Sequence, residues 1–396
     1  MKKAKITKPW LSVLVTFVCC VILAFVPTGY EKAGAAYRDG GTRIAGRVVE
    51  VDNSKIVNTG LVQAGDQRCM VKLLSGPHKG EVHEGGNILT GSLEKDKIYE
   101  VGDKALVLVS YDGDNVASVS MIDHYRSDLE FILLAAFFIF LFFFAGWTGL
   151  RAILSFILSV LTIWKVLVPC CLNGMNPILI GFLITEFLTL MIIALVYGFD
   201  RRCLAAVTGA TAGIVVTAVL GIICTSTFKV QGAVMSFSES LLYSGFENLN
   251  LTQIFMASIF IGSSGALMDL TVDVSAAVNE IALKRPDLSR WECVKSGIQV
   301  GRAAMGTMTT TLLLAYSGGY IALLMVFMAQ GTPMINMLNY KYVTSEIIHT
   351  LVGSFGLVLA APLTAFTSGF FLAGRGVPTE NVEPLHIFRR IRRKTS

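Results

Sequence analysis

Residues 262–280 read GSSGALMDLTVDVSAAVNE, and residues 296–319 read SGIQVGRAAMGTMTTTLLLAYSGG. In both, glycine, alanine, serine and threonine stand where a lipid-facing helix carries leucine and phenylalanine. A membrane helix gives up bulky side chains so that another backbone, or a ligand, can come close. Between and around these blocks lie Asp269, Asp273, Glu280, Lys284, Arg285, Arg290, Lys295 and Arg302. Small-residue helices joined by a charged connector indicate a polytopic α-helical membrane protein.

Composition agrees. The 396 residues are 53% hydrophobic and only 15% charged, against roughly 25% charged in soluble chains. The formal net charge is +5, and the basic residues sit beside apolar runs, which points to membrane topology and not to nucleic acid. Of the eight cysteines only Cys69 lies in the large polar segment, so no disulfide framework or zinc spacing is present there. No cofactor or metal is implied.

Outward from the opening blocks, the chain divides into four parts. Residues 1–27 form an N-terminal membrane anchor, with Pro9 to Val26 as the apolar run. The alternative is a cleaved signal peptide, for which Ala33-Gly34-Ala35 offers a site. Residues 37–125 carry short alternating runs at Arg43 to Val51, Arg68 to Leu74, Ala105 to Ser110 and Val116 to Ile122. Turn formers separate them, among them Gly85-Gly86-Asn87 and Asp112-Gly113-Asp114, which predicts a small all-β domain, either an OB-like barrel or a sandwich. It lacks the aromatic ladder of a nucleic-acid surface. His78, Lys79 and His83 read as exposed turn residues or as a ligand site.

Residues 129–373 hold seven further spans: Leu129 to Leu150, Ala152 to Leu172, Pro177 to Gly198, Cys203 to Phe228, Leu251 to Leu270, Ala303 to Ala329 and Thr350 to Ala373. An inner amphipathic linker at 270–300 is expected as a hairpin on the membrane surface, stopped by Pro286 and restarted by a Ser289-x-x-Glu292 capping box. Residues 374–396 are a basic tail able to touch anionic lipid. The total is about eight spans with both termini cytoplasmic, and charge bias places 37–125 on the extracytoplasmic side.

Three features are candidates for function. Ala205, Gly209, Gly213, Thr217 and Gly221 recur every fourth position and signal close helix packing. Ser258, Gly262, Gly265, Ala266, Asp269 and Asp273 share one face of the sixth span. Thr307 and Thr310 supply hydroxyls on the seventh, and Arg302 stands near the same boundary as the two carboxylates. This is either an ion or solute path closed by the acidic pair and Arg302, or a packing seam ended by a salt bridge. Gly265→Leu is expected to wedge the sixth span from its neighbour. Thirdly, Glu186 lies mid-span, where a carboxylate is costly unless paired or protonated. Its expected partner is Lys165, at similar depth; the alternative is a proton relay.

Gly262-Ser263-Ser264-Gly265 resembles the G-x-S-G of rhomboid-type intramembrane proteases, which need a histidine base within reach. Helix rise puts His349 roughly 20 Å from Ser264, and no metalloprotease or P-loop motif is present. An enzyme is not expected.

The GSSGALMD and SGIQVGRAAMGTMTTTLLLAYSGG blocks resemble the core of the YibE/F-like family of bacterial membrane proteins. SGPHKGEV, NIL, YEVGDKALV and the IDHYR lead into the second span resemble that family's outer domain. The resemblance implies a bacterial cell-membrane protein of this layout and brings no established substrate. Two positions depart from the family pattern: Ala303 stands in place of an acidic residue, and Thr310 in place of Asn. Two functions are compatible with these features. One is a transporter or channel-like permease for a small solute or ion. The other is a non-transporting scaffold whose outer β domain binds a protein or envelope partner. The lipid bilayer is the expected partner, and self-association into a homo-oligomer is compatible with the small-residue faces.

Overall fold

The protein is described by a computed structural model over residues 10–30 and 41–373. The Ala33-Gly34-Ala35 site and the basic tail lie outside the described residues. By contacts the chain forms two units, one spanning Pro27–Ile153, the other joining the residues up to Val26 with those from Leu154 on.

In the first unit, β1 (Thr42–Asn58), β2 (Gln63–Leu73), β3 (Val82–Thr90), β4 (Lys104–Asp112) and β5 (Asn115–His124) close a barrel in the order β1-β2-β3-β5-β4. Every pairing is antiparallel except β3 with β5. Five strands in this Greek-key order are the OB arrangement, which decides for a barrel over a sandwich. Period-two burial builds its core: Cys69, Val71 and Leu73 from β2, and Ala105, Val107 and Val109 from β4. Burial pushes the lone Cys69 thiol up to about 11, the mark of an inert structural cysteine.

Gly85-Gly86-Asn87 is not the expected turn but the middle of β3. Gly85 pairs with Cys69 on one side and Val119 on the other, so it sits where the barrel closes. A Cβ there would come within 3.0 Å of Met121 Sδ. Asn87 turns inward, donating to Gln67 Oε1 at 3.0 Å and to the Lys97 carbonyl at 2.6 Å. Gln67, wholly buried, also accepts from the Tyr99 amide and donates to the Tyr99 carbonyl. A saturated polar network thus occupies what the polar letters suggested was loop.

Among the described residues six helical stretches are long and apolar enough to cross a membrane, with a shorter helix, α1 (Trp10–Phe25), before them. α2 (Ser127–Thr162) continues through a π-helical turn at Ile163–Leu167 into α3 (Val168–Leu172). These 46 residues would measure about 69 Å if straight, more than twice the roughly 30 Å hydrocarbon core. They are not straight: Gly146 has φ 54° and ψ −123°. Beyond it, a Cβ on Gly149 would collide with the Leu141 carbonyl oxygen, which in a straight helix lies about 12 Å away along the axis. The break expected between Leu150 and Ala152 thus appears as a sharp bend at Gly146. The phenylalanine-rich first limb is unburied, as a lipid-facing helix is.

The second unit centres on α4 (Pro177–Tyr197), α5 (Arg201–Thr227), α7 (Leu251–Lys284), α8 (Arg290–Ser317) and α11 (Lys341–Leu372). A short α6 (Ser238–Tyr243) precedes α7, and α9 (Ile321–Ala329) and α10 (Met334–Leu338) follow α8. The α5 stripe does pack closely: Gly209 faces Thr364 of α11, and Gly213 faces Leu267 of α7 and Ala360 of α11. Gly297 and Gly301 give α8 the same access to Ala365 and Ala361. Dispersion across these flat faces stands in for the hydrophobic effect, which is absent between helices in lipid.

The 270–300 segment is not a separate element but the end of α7 and the start of α8. α7 runs unbroken for 34 residues, about 51 Å, and Leu270, Val274 and Val278 belong to the main core cluster. The expected capping box at Ser289 and Glu292 is present and starts α8 directly. The amphipathic pattern was that of two helix ends packed on α11 and on each other.

Candidate functional site

α7 and α8 form an antiparallel pair. Val278 Cγ2 lies 2.6 Å from where a Cβ of Gly297 would stand, Val274 Cγ2 3.4 Å from that of Gly301, and Tyr316 Oη 2.8 Å from that of Gly262. Counting along both helices from these contacts sets Arg302 level with Asp273, Thr307 level with Asp269, and Thr310 near Gly265.

All of these residues are exposed: Gly262, Gly265, Asp269 and Asp273 on α7, and Arg302, Gly306, Thr307 and Thr310 on α8. A Cβ at Gly265 or Gly306 would meet nothing within 4 Å, so the expected wedge at Gly265 does not arise within one chain. The expected salt bridge is also missing. Among the described residues neither Asp269, Asp273 nor Arg302 takes part in an ion pair. Thr307 and Thr310 donate their hydroxyls to Ala304 and Gly306 of their own helix at 3.1 and 3.3 Å, which leaves their oxygen lone pairs open. The result is an exposed ladder of carboxylate, hydroxyl and bare backbone, with Arg302 alongside but in no ion pair among the described residues.

Its Gly262 end is roofed. Tyr316 and His349 stack with ring centroids 4.6 Å apart, and His349 Nε2 lies 3.1 Å from the Ser258 carbonyl. His349 was expected near the helix terminus, but α11 begins at Lys341, eight residues earlier. It therefore stands at the height of Ser258, about 9 Å of rise from Ser264 and not 20 Å. Ser264 still has no base, since its hydroxyl donates to the Ile261 carbonyl at 2.7 Å. Near the Asp273 turn, Tyr197 at the end of α4 donates to the Val272 carbonyl at 2.6 Å, and its ring lies 5.2 Å from the Arg202 guanidinium.

Glu186 and Lys165 do not meet in the expected ion pair. Lys165 donates to the Val26 carbonyl at 3.2 Å and lies over the Trp164 ring. Glu186 Oε2 accepts from Thr211 Oγ1 of α5 at 2.5 Å, while its Oε1 is buried without a partner. Thr211 carried no signal in the sequence, because it lies off the α5 packing stripe and hydropathy does not say which helices adjoin. Tyr197 and Tyr316 were missed for the same reason.

On the barrel, Glu81 lies between His78 and His83, at 3.1 and 3.0 Å, and hydrogen bonding from His78 holds its carboxyl below its usual range. Among the described residues no three metal-ligating side chains are grouped to hold an ion.

The family model described as YibE/F-like protein matches residues 133–374. The chain belongs to the YibE/F-like family. The match covers well over half of the chain, takes in both blocks of the α7–α8 ladder and stops short of the barrel. Neither the curated proteins nor the solved structures include a match to the chain. The matched stretch thus runs from within α2 through α11 and leaves out α1 and the barrel, and the ladder lies inside it.

Proposed function

We propose that this YibE/F-like protein is a transporter or channel-like permease for a small solute or ion, with its path along the α7–α8 ladder. The observation that carries this reading is the uncovered polar ladder. Asp269, Thr307 and Thr310 are left open on helices apolar enough to cross a membrane, and polar groups of this kind characteristically mark substrate and ion pathways. Glu186, with one free oxygen, is a second point where a proton or cation would be held. The proposal places the protein in a bacterial cell membrane with eight spans, the two limbs of α2 counting as two, both termini cytoplasmic and the barrel outside. A cysteine at Gly265 or Thr310 is expected to react with small hydrophilic thiol reagents, and one at Leu359, an exposed apolar position of α11, is not. Equal inertness at all three positions would remove the path.

One observation favours the scaffold reading beside it. A cleft of about 250 Å³ lies between the β1–β2 and β3–β4 connections, and its lining includes Leu61 and Leu93, 88% and 78% exposed. Apolar side chains this exposed around a cleft suit a protein partner.

A further inference from the structure

A cavity of about 410 Å³ lies between α1, the π-helical turn and α4, lined by Leu23, Thr162, Val166, Ile180, Ile184 and Phe187. Ile22 and Leu183 stand at its edge, 58% and 54% exposed, so it opens sideways, toward lipid. Two polar features single it out from an ordinary lipid-facing furrow. Thr162 is 2% exposed, and its hydroxyl has no hydrogen-bond partner. It does not donate to the preceding turn as Thr185 and Thr217 do, and the π-helical turn Ile163–Leu167 begins at the next residue, a feature found often at functional sites.

The second feature is Lys165. Its ammonium lies 3.2 Å from the carbonyl of Val26, one turn beyond the Ile22 and Leu23 that line the cavity, since the Val26 amide donates back to Ile22. Lys165 has no carboxylate partner among the described residues. A cation is therefore held at one end of an apolar slot, and Trp164, 62% exposed, lies beside it. Such aromatic rings mark the headgroup level of a bilayer.

We infer that this slot is a binding site for an anionic phospholipid, with an acyl chain in the cavity beside Thr162 and the phosphate on Lys165. The occupant is specified by charge. An apolar slot alone would take any chain, whereas an unpaired ammonium at its mouth selects a negative headgroup over a zwitterionic one. The site is separate from the α7–α8 ladder and does not depend on the transport reading.

The test uses the full chain purified in detergent, with retained lipid read by native mass spectrometry and unfolding read by temperature. The probes are phosphatidylglycerol and phosphatidylcholine with the same oleoyl chains, and oleic acid. Wild type is expected to retain phosphatidylglycerol preferentially and to be stabilised by it. Lys165→Gln is expected to cut that preference roughly fivefold while keeping chain binding. Ile184→Trp, which fills the cavity, is expected to lower retention of both phospholipids. Equal retention of the two phospholipids by wild type would overturn the proposal. So would a preference untouched by Lys165→Gln, or oleic acid matching phosphatidylglycerol. If Ile184→Trp fails to fold, the Lys165→Gln comparison decides alone.

Discussion

A methyl group at Gly262 would meet Tyr316 Oη at 2.8 Å and His349 Nε2 at 3.4 Å, whereas one at Gly265 would meet nothing within 4 Å. Two glycines one turn apart on the same face thus have opposite tolerance. Gly262→Leu is expected to destabilise by about 1–3 kcal/mol, because the stacked rings above it must move. Gly265→Leu is expected to stay within about 0.5 kcal/mol of wild type yet to block the proposed path. Thermal unfolding in detergent orders the two, and a Gly265→Leu less stable than Gly262→Leu would show that the face is covered. Glu186 allows a similar comparison. Thr211→Val leaves both carboxyl oxygens without a donor and is expected to cost about 1–3 kcal/mol. Combining it with Glu186→Gln should give strong non-additivity, while Lys165→Met and Glu186→Gln should simply add. The mid-span position of Glu186 was legible from hydropathy. Its partner was not, because Lys165 and Thr211 are distinguished by which helices adjoin and how each is rotated, and neither is written in an apolar run.

At the scale of elements, periodicity was reliable where one face meets protein and the other meets water or lipid. The α5 stripe, the Ser289 cap and strands β1, β2, β4 and β5 were readable on those terms. It failed where glycine serves close approach instead of a turn. β3 was hidden by Gly85-Gly86-Asn87, whose polar letters are satisfied inside the barrel by Gln67 and Lys97. The bend of α2 was hidden the other way, by a glycine inside an apolar run. Gly146→Ala meets no neighbour but forces a Cβ into a positive-φ backbone, and is expected to cost about 1–2 kcal/mol. Gly149→Ala drives its Cβ into the Leu141 carbonyl, so it is expected to be at least as harmful. The β3–β4 connection yields a pH prediction. The Thr90 amide holds the Asp96 carboxyl below the usual carboxylate range, with the Ser92 amide assisting. A depressed folded-state pKa contributes stability that is present above the unfolded value and is lost as pH falls through the folded one. Acidification below the ordinary aspartate range is therefore expected to destabilise wild type more than Asp96→Asn. Parallel pH–stability curves for the two proteins would show that the carboxylate does not brace this loop.

For the whole molecule, the decisive quantity is the parity of crossings between the barrel and the α7–α8 turn. From Asp114 to Arg290 the chain passes α2 with α3, then α4, α5 and α7. Taken as one span, the α2–α3 stretch gives four crossings and puts both positions on the same side. Taken as two limbs about Gly146, it gives five and puts them on opposite sides. Length favours two limbs, since 46 residues make about 69 Å of helix for a hydrocarbon layer of roughly 30 Å. Charge favours it too. Arg201, Arg202, Lys284, Arg285 and Arg290 then share the basic, cytoplasmic side, whereas four crossings would put the barrel there with them. Sidedness reporters fused at Asp114 and Arg290 are expected to give opposite signals, and one at the C-terminus, two crossings further, should match Arg290. Matching signals at Asp114 and Arg290 would mean that the Gly146 bend does not return the chain across the membrane. The ladder would then open toward the barrel's side at its Asp273 end, and the proposed path would run in the reverse sense.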